Sequence, residues 1–261
     1  MTVVGRGGSA DLQLPYTSVS RAHARFELYP EGHVELTDLD STNGTYVEGA
    51  PVTSCFLSEG DIIGIGDVEA FRFGRYDEAE AALQHDLYTT ATRDGLTGVL
   101  NRRHLLARMR QEFELALRSN TRLCALMIDV DHFKRVNDEH GHAAGDAVLQ
   151  AVAKSVASTL RTYDLFGRYG GEEFTVLLRH EALDEARILA DRLRQRITEA
   201  PIPVSSARGD TALALTVSIG VAELVHGQNH EPGHLLAAAD RALYRAKALG
   251  RNCVCVDERP L

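Results

Sequence analysis

The run Leu123-Cys124-Ala125-Leu126-Met127-Ile128-Asp129-Val130-Asp131 restricts the fold more than any other stretch. An unbroken apolar run closed by two acids predicts a buried central strand, since a strand covered on both faces has no polar side to alternate with. Such a strand delivers Asp129 and Asp131 at its carboxyl end, where sites in α/β sheets form. Downstream, Arg168-Tyr169-Gly170-Gly171-Glu172-Glu173-Phe174 sets two glycines and two acids between strand-like runs at 164–169 and 174–178. The glycines are expected to supply the positive φ of a tight hairpin turn, with Glu172 and Glu173 on its exposed tip. Adjacent carboxylates repel, so either solvent screens them or a cation neutralises them. An ordinary polar hairpin is the plain alternative for such a turn taken alone.

A chain of 261 residues, 44% of them hydrophobic, has room for two packed domains. Its formal charge of −9 argues against a nucleic-acid groove or an anionic membrane surface as the main partner. An anionic substrate stays open, because local Lys and Arg with a metal outweigh the global sign. No apolar run reaches the length of a membrane span, and no basic segment followed by an apolar one opens the chain, so a cytoplasmic location is expected. Cys55, Cys124, Cys253 and Cys255 lack paired metal-ligand spacing. Cys253 and Cys255 fall on one face of a strand and are expected to be a reduced, buried pair.

Residues 1–75 hold no Lys and many Gly, with short strand-like runs between turn residues, which reads as an all-β sandwich. Residues 76–91 read as a helical linker rich in Ala, with Leu83 and Leu87 on one face. A spacer and a dimer-forming helix both fit that spacing. Beyond it, apolar positions predict a helix carrying Leu105, Leu106, Met109, Phe113, Leu115 and Leu117. A second carries Val148, Leu149, Val152, Val156 and Leu160. Further helices are expected over 184–198 and 235–250, the last capped by Gly250. Strands are expected over 212–224 and 253–256. The interleaving of strands and helices predicts a mixed central sheet with flanking helices.

Three segments together, Ile128-Asp129-Val130-Asp131-His132-Phe133-Lys134, Asn137-Asp138 through Gly141-His142 to Gly145-Asp146, and Arg168 to Phe174, resemble the GGDEF domain of diguanylate cyclases. Asp94-Gly95-Leu96-Thr97-Gly98 through Asn101-Arg102-Arg103 is similar to the turn that opens such domains, so the resemblance covers 92–257. It implies a nucleotide-cyclase or palm-like α/β fold and the condensation of two GTP into cyclic di-GMP with release of pyrophosphate. In the amino-terminal part, Gly5-Arg6, Ser20-Arg21-Ala22-His23 and Asp38 to Thr45 resemble the forkhead-associated (FHA) domain, a phosphothreonine-binding sandwich. Only four residues precede Gly5, where the resemblance implies two strands. The expectation is therefore either an incomplete sandwich with an unprotected edge or a start recorded too far downstream.

By resemblance, Asp129, Glu172 and the backbone carbonyl of Val130 hold Mg²⁺ or Mn²⁺. Hard oxygens from two elements can share such an ion with substrate phosphates. Glu173 is the candidate for assisting deprotonation of the attacking 3′-hydroxyl, and Lys134 lies near the phosphates. Lys247 and Arg251, at i and i+4, are also placed at the phosphates. Asn137 and Asp146 are placed at the guanine, whose N1–H and amine suit a carboxylate acceptor, and Phe133 is placed among the GTP-binding residues. Since each domain holds one GTP, the reaction implies a homodimer facing across a two-fold axis. Arg161-Thr162-Tyr163-Asp164 matches the family's Arg-x-x-Asp site for inhibitory cyclic di-GMP, with Arg192 as a second arginine. A local ion pair is the plain reading of Arg-x-x-Asp alone.

In the FHA-like part, Arg6, Ser20 and Asn43 are expected to hold phosphate and peptide, with Arg21 and Thr42 adjacent and His23 bracing a loop. A phosphothreonine-containing protein or protomer follows as partner. Two rivals stand beside the enzyme: a catalytically dead cyclic di-GMP receptor, and a phosphopeptide scaffold. Degenerate receptors lose the hairpin residues, and this chain keeps Gly170, Gly171, Glu172 and Glu173.

Overall fold

A computed structural model describes residues 1–14, 16, 18–66, 69–161, 163–206, 209–226 and 231–257. The chain divides into two compact units, Met1–His85 and Asp86–Leu261.

The first unit is built from short strands: β1 (Thr2–Gly5), β2 (Leu12–Gln13), β3 (Ala24–Leu28), β4 (Val34–Asp38), β5 (Thr45–Val47), β6 (Ala50–Val52), β7 (Ser54–Leu57), β8 (Ile62–Ile65) and β9 (Glu69–Arg72). They form one sheet ordered β2-β1-β3-β4-β7 and another ordered β6-β5-β8-β9. Val4, Val19, Ala24, Leu36, Ile63 and Ile65 fill the core between the sheets, as the inward alternation of a sandwich requires. The edge beyond β1 is covered by the two-residue β2 alone, paired in parallel. At Gly5 a Cβ would lie 2.2 Å from the Arg21 carbonyl oxygen, so only glycine lets these two loops close on each other.

The helix α1 (Glu78–Thr92) leads into the second unit. There α2 (Arg102–Ser119), β10 (Leu123–Val130), α3 (Phe133–His140), α4 (His142–Ala157), β11 (Leu165–Arg168), β12 (Glu173–Arg179), α5 (Leu183–Glu199), β13 (Ile202–Ser206), β14 (Gly209–Leu213), β15 (Val217–Glu223), α6 (Pro232–Ala248) and β16 (Val254–Val256) follow in order. The sheet runs β11-β12-β10-β15-β16, antiparallel except for the β15–β16 pair.

All eight residues of β10 are buried, in line with the apolar run. Their alternation divides two cores. Cys124, Leu126, Ile128 and Val130 face α4 and α5, while Leu123, Ala125 and Met127 face α2 and α6. Asp129 shares the parity of Met127 and so turns toward α6. That helix lies directly on β15, because a Cβ at Gly220 would meet the Ala239 carbonyl oxygen at 2.1 Å.

Three expectations are corrected. Residues 212–224 are not one strand: β14 pairs with β13 as a separate hairpin, and the sheet strand begins at Val217. The apolar residues of 212–215 run through Thr216 into β15, whose residues Val217–Ala222 are all buried, so no charged or turn residue in the sequence marks the boundary. The cap of α6 is Leu249, and Gly250 follows it at φ 108°. Cys253 and Cys255 are free thiols but only partly buried, since they lie on the edge strand β16 or just before it. Among the described residues no helix is long and apolar enough to cross a membrane.

Candidate active site

The site gathers at the carboxyl end of β10. Strand register sets Asp129 opposite Glu173 on β12 and opposite Ser218 on β15. The hairpin tip is latched to this end by the Val130 N–H, which donates to the Glu172 carbonyl oxygen at 3.3 Å. Asp129 is 6% exposed, and Lys247 in the last turn of α6 donates to its Oδ2 at 2.7 Å. Burial pushes the Asp129 carboxyl above its ordinary value, Lys247 pulls it back, and the nearby Glu172 and Glu173 charges push it up again. Asp129, paired with one ammonium, thus also feels the charges of Glu172 and Glu173, and the excess negative charge fits a cation. Among the described residues no three His, Cys, Asp or Glu side chains converge as a protein-only metal cage. Carboxylate oxygens are hard donors and suit a hard divalent cation that completes its shell with water or substrate oxygens.

The hairpin turn differs from expectation. Neither Gly170 nor Gly171 takes a left-handed φ. The turn closes instead through the Tyr169 and Gly170 N–H groups, which both donate to the Glu173 carbonyl oxygen. Glycine at 170 makes room, since a Cβ there would lie 2.5 Å from Glu173 Oε2. Arg168 steadies the tip: its Nε and Nη2 donate to the Gly171 carbonyl at 3.0 and 2.7 Å, and its Nη1 to Asp94 at 3.2 Å. Asp94 is itself held by Thr97, so the opening turn of the unit is tied to the hairpin.

Around this centre, α3 and α4 meet at Asn137 and Gly145. Asn137 Oδ1 sits 2.0 Å from where a Gly145 Cβ would be, and Phe133 Cζ 3.1 Å from it. Lys134, Asp146 and Arg251 project from exposed positions on α3, α4 and the turn after α6. The structure thus joins Asp129 to Lys247 directly and sets Phe133 and Asn137 against the start of α4.

Asp131 was legible as part of the acidic run, yet sequence reasoning gave it no task. It is 3% exposed; its Oδ1 accepts from Ser218 Oγ at 2.7 Å, its Oδ2 from Thr216 Oγ1 at 2.7 Å and the Asn252 N–H at 3.0 Å.

A second cluster lies away from the hairpin. Asp164 Oδ2 accepts from the Arg161 N–H at 2.9 Å. Burial raises the Asp164 carboxyl, and the Arg161 N–H opposes this. The Arg161 guanidinium pairs with Glu181, a partner the sequence did not suggest, and lies 5.9 Å from the Tyr163 ring centroid. Thr162 lies outside the described residues. Arg192 is exposed on α5, one turn ahead of Arg196.

In the first unit, Ser20 Oγ accepts from the Thr42 N–H at 3.0 Å, and Asn43 Nδ2 donates to the Ser18 carbonyl at 2.8 Å. This brings Ser20, Thr42 and Asn43 together, with Arg6 and Arg21 exposed beside them, since the Arg6 N–H donates to the Ser20 carbonyl. His23 is fully buried and braces the loops: its Nδ1 accepts from the Ser20 N–H, and its Nε2 donates to the Gly44 carbonyl.

A family model described as "Diguanylate cyclase, GGDEF domain" matches residues 91–253. The chain belongs to the GGDEF family. An FHA domain model matches residues 2–66, on the strand-rich unit. The response regulator PleD of Caulobacter vibrioides is 41% identical over 172 residues, covering 66% of this chain and 37% of PleD. The probable diguanylate cyclase DgcC of Escherichia coli is 36% identical over 184 residues, covering 70% of this chain and 48% of DgcC. The chain thus spans less than half the length of these relatives. Among solved structures, the GGDEF domain of DgcB from Caulobacter crescentus, in complex with c-di-GMP, aligns with a TM-score of 0.61 and 33% identity. That alignment covers 65% of this chain and 97% of the other. The active GGEEF domain of a Vibrio cholerae diguanylate cyclase aligns with a TM-score of 0.56 and 36% identity, covering 61% of this chain and 98% of the other.

Proposed function

We propose that this GGDEF chain is a diguanylate cyclase that condenses two GTP into cyclic di-GMP and releases two pyrophosphates. The observation that carries the reading is Asp129, delivered by a buried strand to a point shared with Glu173, Glu172 and Lys247. Asp129, Glu172 and the Val130 carbonyl are the oxygens that would hold a divalent cation, Mg²⁺ or Mn²⁺, which would supply Lewis-acid charge neutralisation for the phosphoryl transfer.

The chain's own groups do the rest. Lys134, Lys247 and Arg251 bind the triphosphate, with Lys247 turning from Asp129 to phosphate as nucleotide arrives. Asn137 and Asp146 read the guanine edge, and Phe133 backs the slot beside Gly145. Glu173 takes the proton from the 3′-hydroxyl. Positioning and charge neutralisation supply most of the rate, as in other phosphoryl transfers. Because each site holds one nucleotide, two protomers must face each other, and activity follows dimer geometry.

The proposed arrangement assigns 1–75 to phosphothreonine recognition through Arg6, Ser20, Arg21, Thr42 and Asn43, 76–91 to a linker, and 92–257 to catalysis. Phosphothreonine binding then controls how the catalytic domains align. Arg161, Asp164 and Arg192 form a product-inhibition site.

The test is product analysis of the purified chain with GTP and Mg²⁺, after removal of any bound cyclic dinucleotide, beside a Glu172→Ala/Glu173→Ala control. Cyclic di-GMP and pyrophosphate from the unaltered chain alone are expected. No product from a folded chain that still binds cyclic di-GMP would overturn the reading in favour of a receptor.

A further inference from the structure

Past the end of α6 the backbone is left-handed at three consecutive residues: Gly250 at φ 108°, Arg251 at φ 68° and Asn252 at φ 47°. The region suits glycine and, less well, asparagine. For arginine it is sterically costly and persists only where surrounding contacts over-determine it. The contacts are on both sides of Arg251. Ahead of it, its N–H donates to the Ala246 carbonyl at 3.1 Å and continues the close of α6. Behind it, the Asn252 N–H donates to Asp131 Oδ2 at 3.0 Å, and Asn252 Oδ1 accepts from Arg194 Nη1 at 2.8 Å.

Asp131 is the better-fixed of the two anchors on Asn252. Its carboxylate is 3% exposed, and its own N–H is held by the Thr216 carbonyl at 2.9 Å. The hydroxyls of Thr216 and Ser218 each donate to it at 2.7 Å. Both oxygens are thus occupied by neutral donors from β15, the segment just before it, and the turn. A buried carboxylate satisfied this way acts as a rigid acceptor rather than as a charge in search of a partner.

We propose that Asp131 is a positioning residue that holds the Gly250–Asn252 turn left-handed and so presents Arg251 to the substrate triphosphate. This rests on the phosphate role proposed above for Arg251. It differs from the task of Asp129: Asp131 needs hydrogen-bond acceptors, not negative charge. With its oxygen in the place of Oδ2, asparagine still accepts from the Asn252 N–H and the Thr216 hydroxyl, while its amide NH2, in the place of Oδ1, donates to a Ser218 hydroxyl that rotates to accept.

The experiment measures the affinity of the full chain for a GTP analogue that cannot be cleaved between the α- and β-phosphates, by calorimetry with Mg²⁺, alongside KM for GTP. The variants are Asp131→Ala, Asp131→Asn, Arg251→Ala and Asp131→Ala/Arg251→Ala. Arg251→Ala and Asp131→Ala are each expected to weaken binding about tenfold, the loss of one charge-assisted contact. The double variant should be no weaker than the worse single by more than about twofold, because both remove the same contact. Asp131→Asn should recover most of the affinity.

Multiplicative losses in the double variant would overturn the proposal. So would an Asp131→Asn loss as large as that of Asp131→Ala, which would mark the charge as essential. If Arg251→Ala itself leaves affinity unchanged, the phosphate reading of Arg251 fails instead. Should Asp131→Ala not fold, Ser218→Ala strips one donor from the same carboxylate. It should weaken binding in the parent background and leave the Arg251→Ala background unchanged; equal losses in both would again overturn the proposal.

Discussion

Replacing Gly145 by alanine separates stability from function in this site. Gly145 lies in the first turns of α4 with ordinary helical φ, so alanine favours the helix there by about 1 kcal/mol. The new Cβ, however, would lie 2.0 Å from Asn137 Oδ1, where real Cβ contacts essentially never fall below 3.0 Å. The amide must therefore retreat by at least 3.0 − 2.0 = 1.0 Å. Phe133 Cζ, at 3.1 Å, must yield by a few tenths. The obstacle is the end of a flexible side chain, so the displacement costs little folding energy. It is large for the hydrogen bond proposed above between Asn137 and the guanine, whose geometry would fail over such a distance. Losing that bond costs about 0.5–1.5 kcal/mol, or about two- to twelvefold in kcat/KM for GTP.

The expected outcome is a melting temperature equal to or above that of the parent, together with a kcat/KM lowered several-fold, mainly through KM. Calorimetry and initial rates of pyrophosphate release read the two effects separately. An unchanged kcat/KM in a well-folded variant would refute the placement of guanine at Asn137. A fall in both quantities would mean that Gly145 serves packing alone.

Two further outcomes follow from the same structure. Glu181→Gln removes the carboxylate that competes for the Arg161 guanidinium. Arg161 is largely exposed, so the pair is weak and cyclic di-GMP should bind about two- to fivefold more tightly by calorimetry; equal or weaker binding would rule the competition out. In the first unit, burial would raise the Asp38 carboxyl, but donors from Ser41 and Thr45 hold it below its ordinary 3.8. A depressed folded value stabilises above the unfolded one and is lost as pH falls through the folded one. Asp38→Ala should therefore destabilise the FHA-like unit by about 1–3 kcal/mol at neutral pH. Its difference from the parent in urea unfolding should shrink below pH 3.8; a difference independent of pH would show that packing, not ionisation, is involved.

The legible part of this protein was what local pattern encodes. The apolar run from Leu123 to Ile128 made a fully buried strand legible, since nothing polar interrupts it, with Asp129 and Asp131 at its carboxyl end. The spacing of turn residues in the first unit gave a sandwich, and His23 was already expected to brace loops. The GGDEF and FHA families were readable because their motifs stand in order along the chain.

Tertiary structure decided what depends on atoms far apart in sequence. It turned Lys247 onto Asp129, Arg168 onto Asp94 and Glu181 onto Arg161, pairings set by helix packing and strand register rather than by neighbouring residues. It replaced the expected left-handed glycines of the hairpin with glycine that makes room for a carboxylate, because available space, unlike turn propensity, is a property of the folded neighbourhood. It also gave Asp131 its partners just before β15, on β15 and beyond α6, which lie 85, 87 and 121 residues away along the chain. Sequence pattern carries periodicity over a few residues; which buried acceptor meets which donor is settled only when the sheet and helices have closed around it.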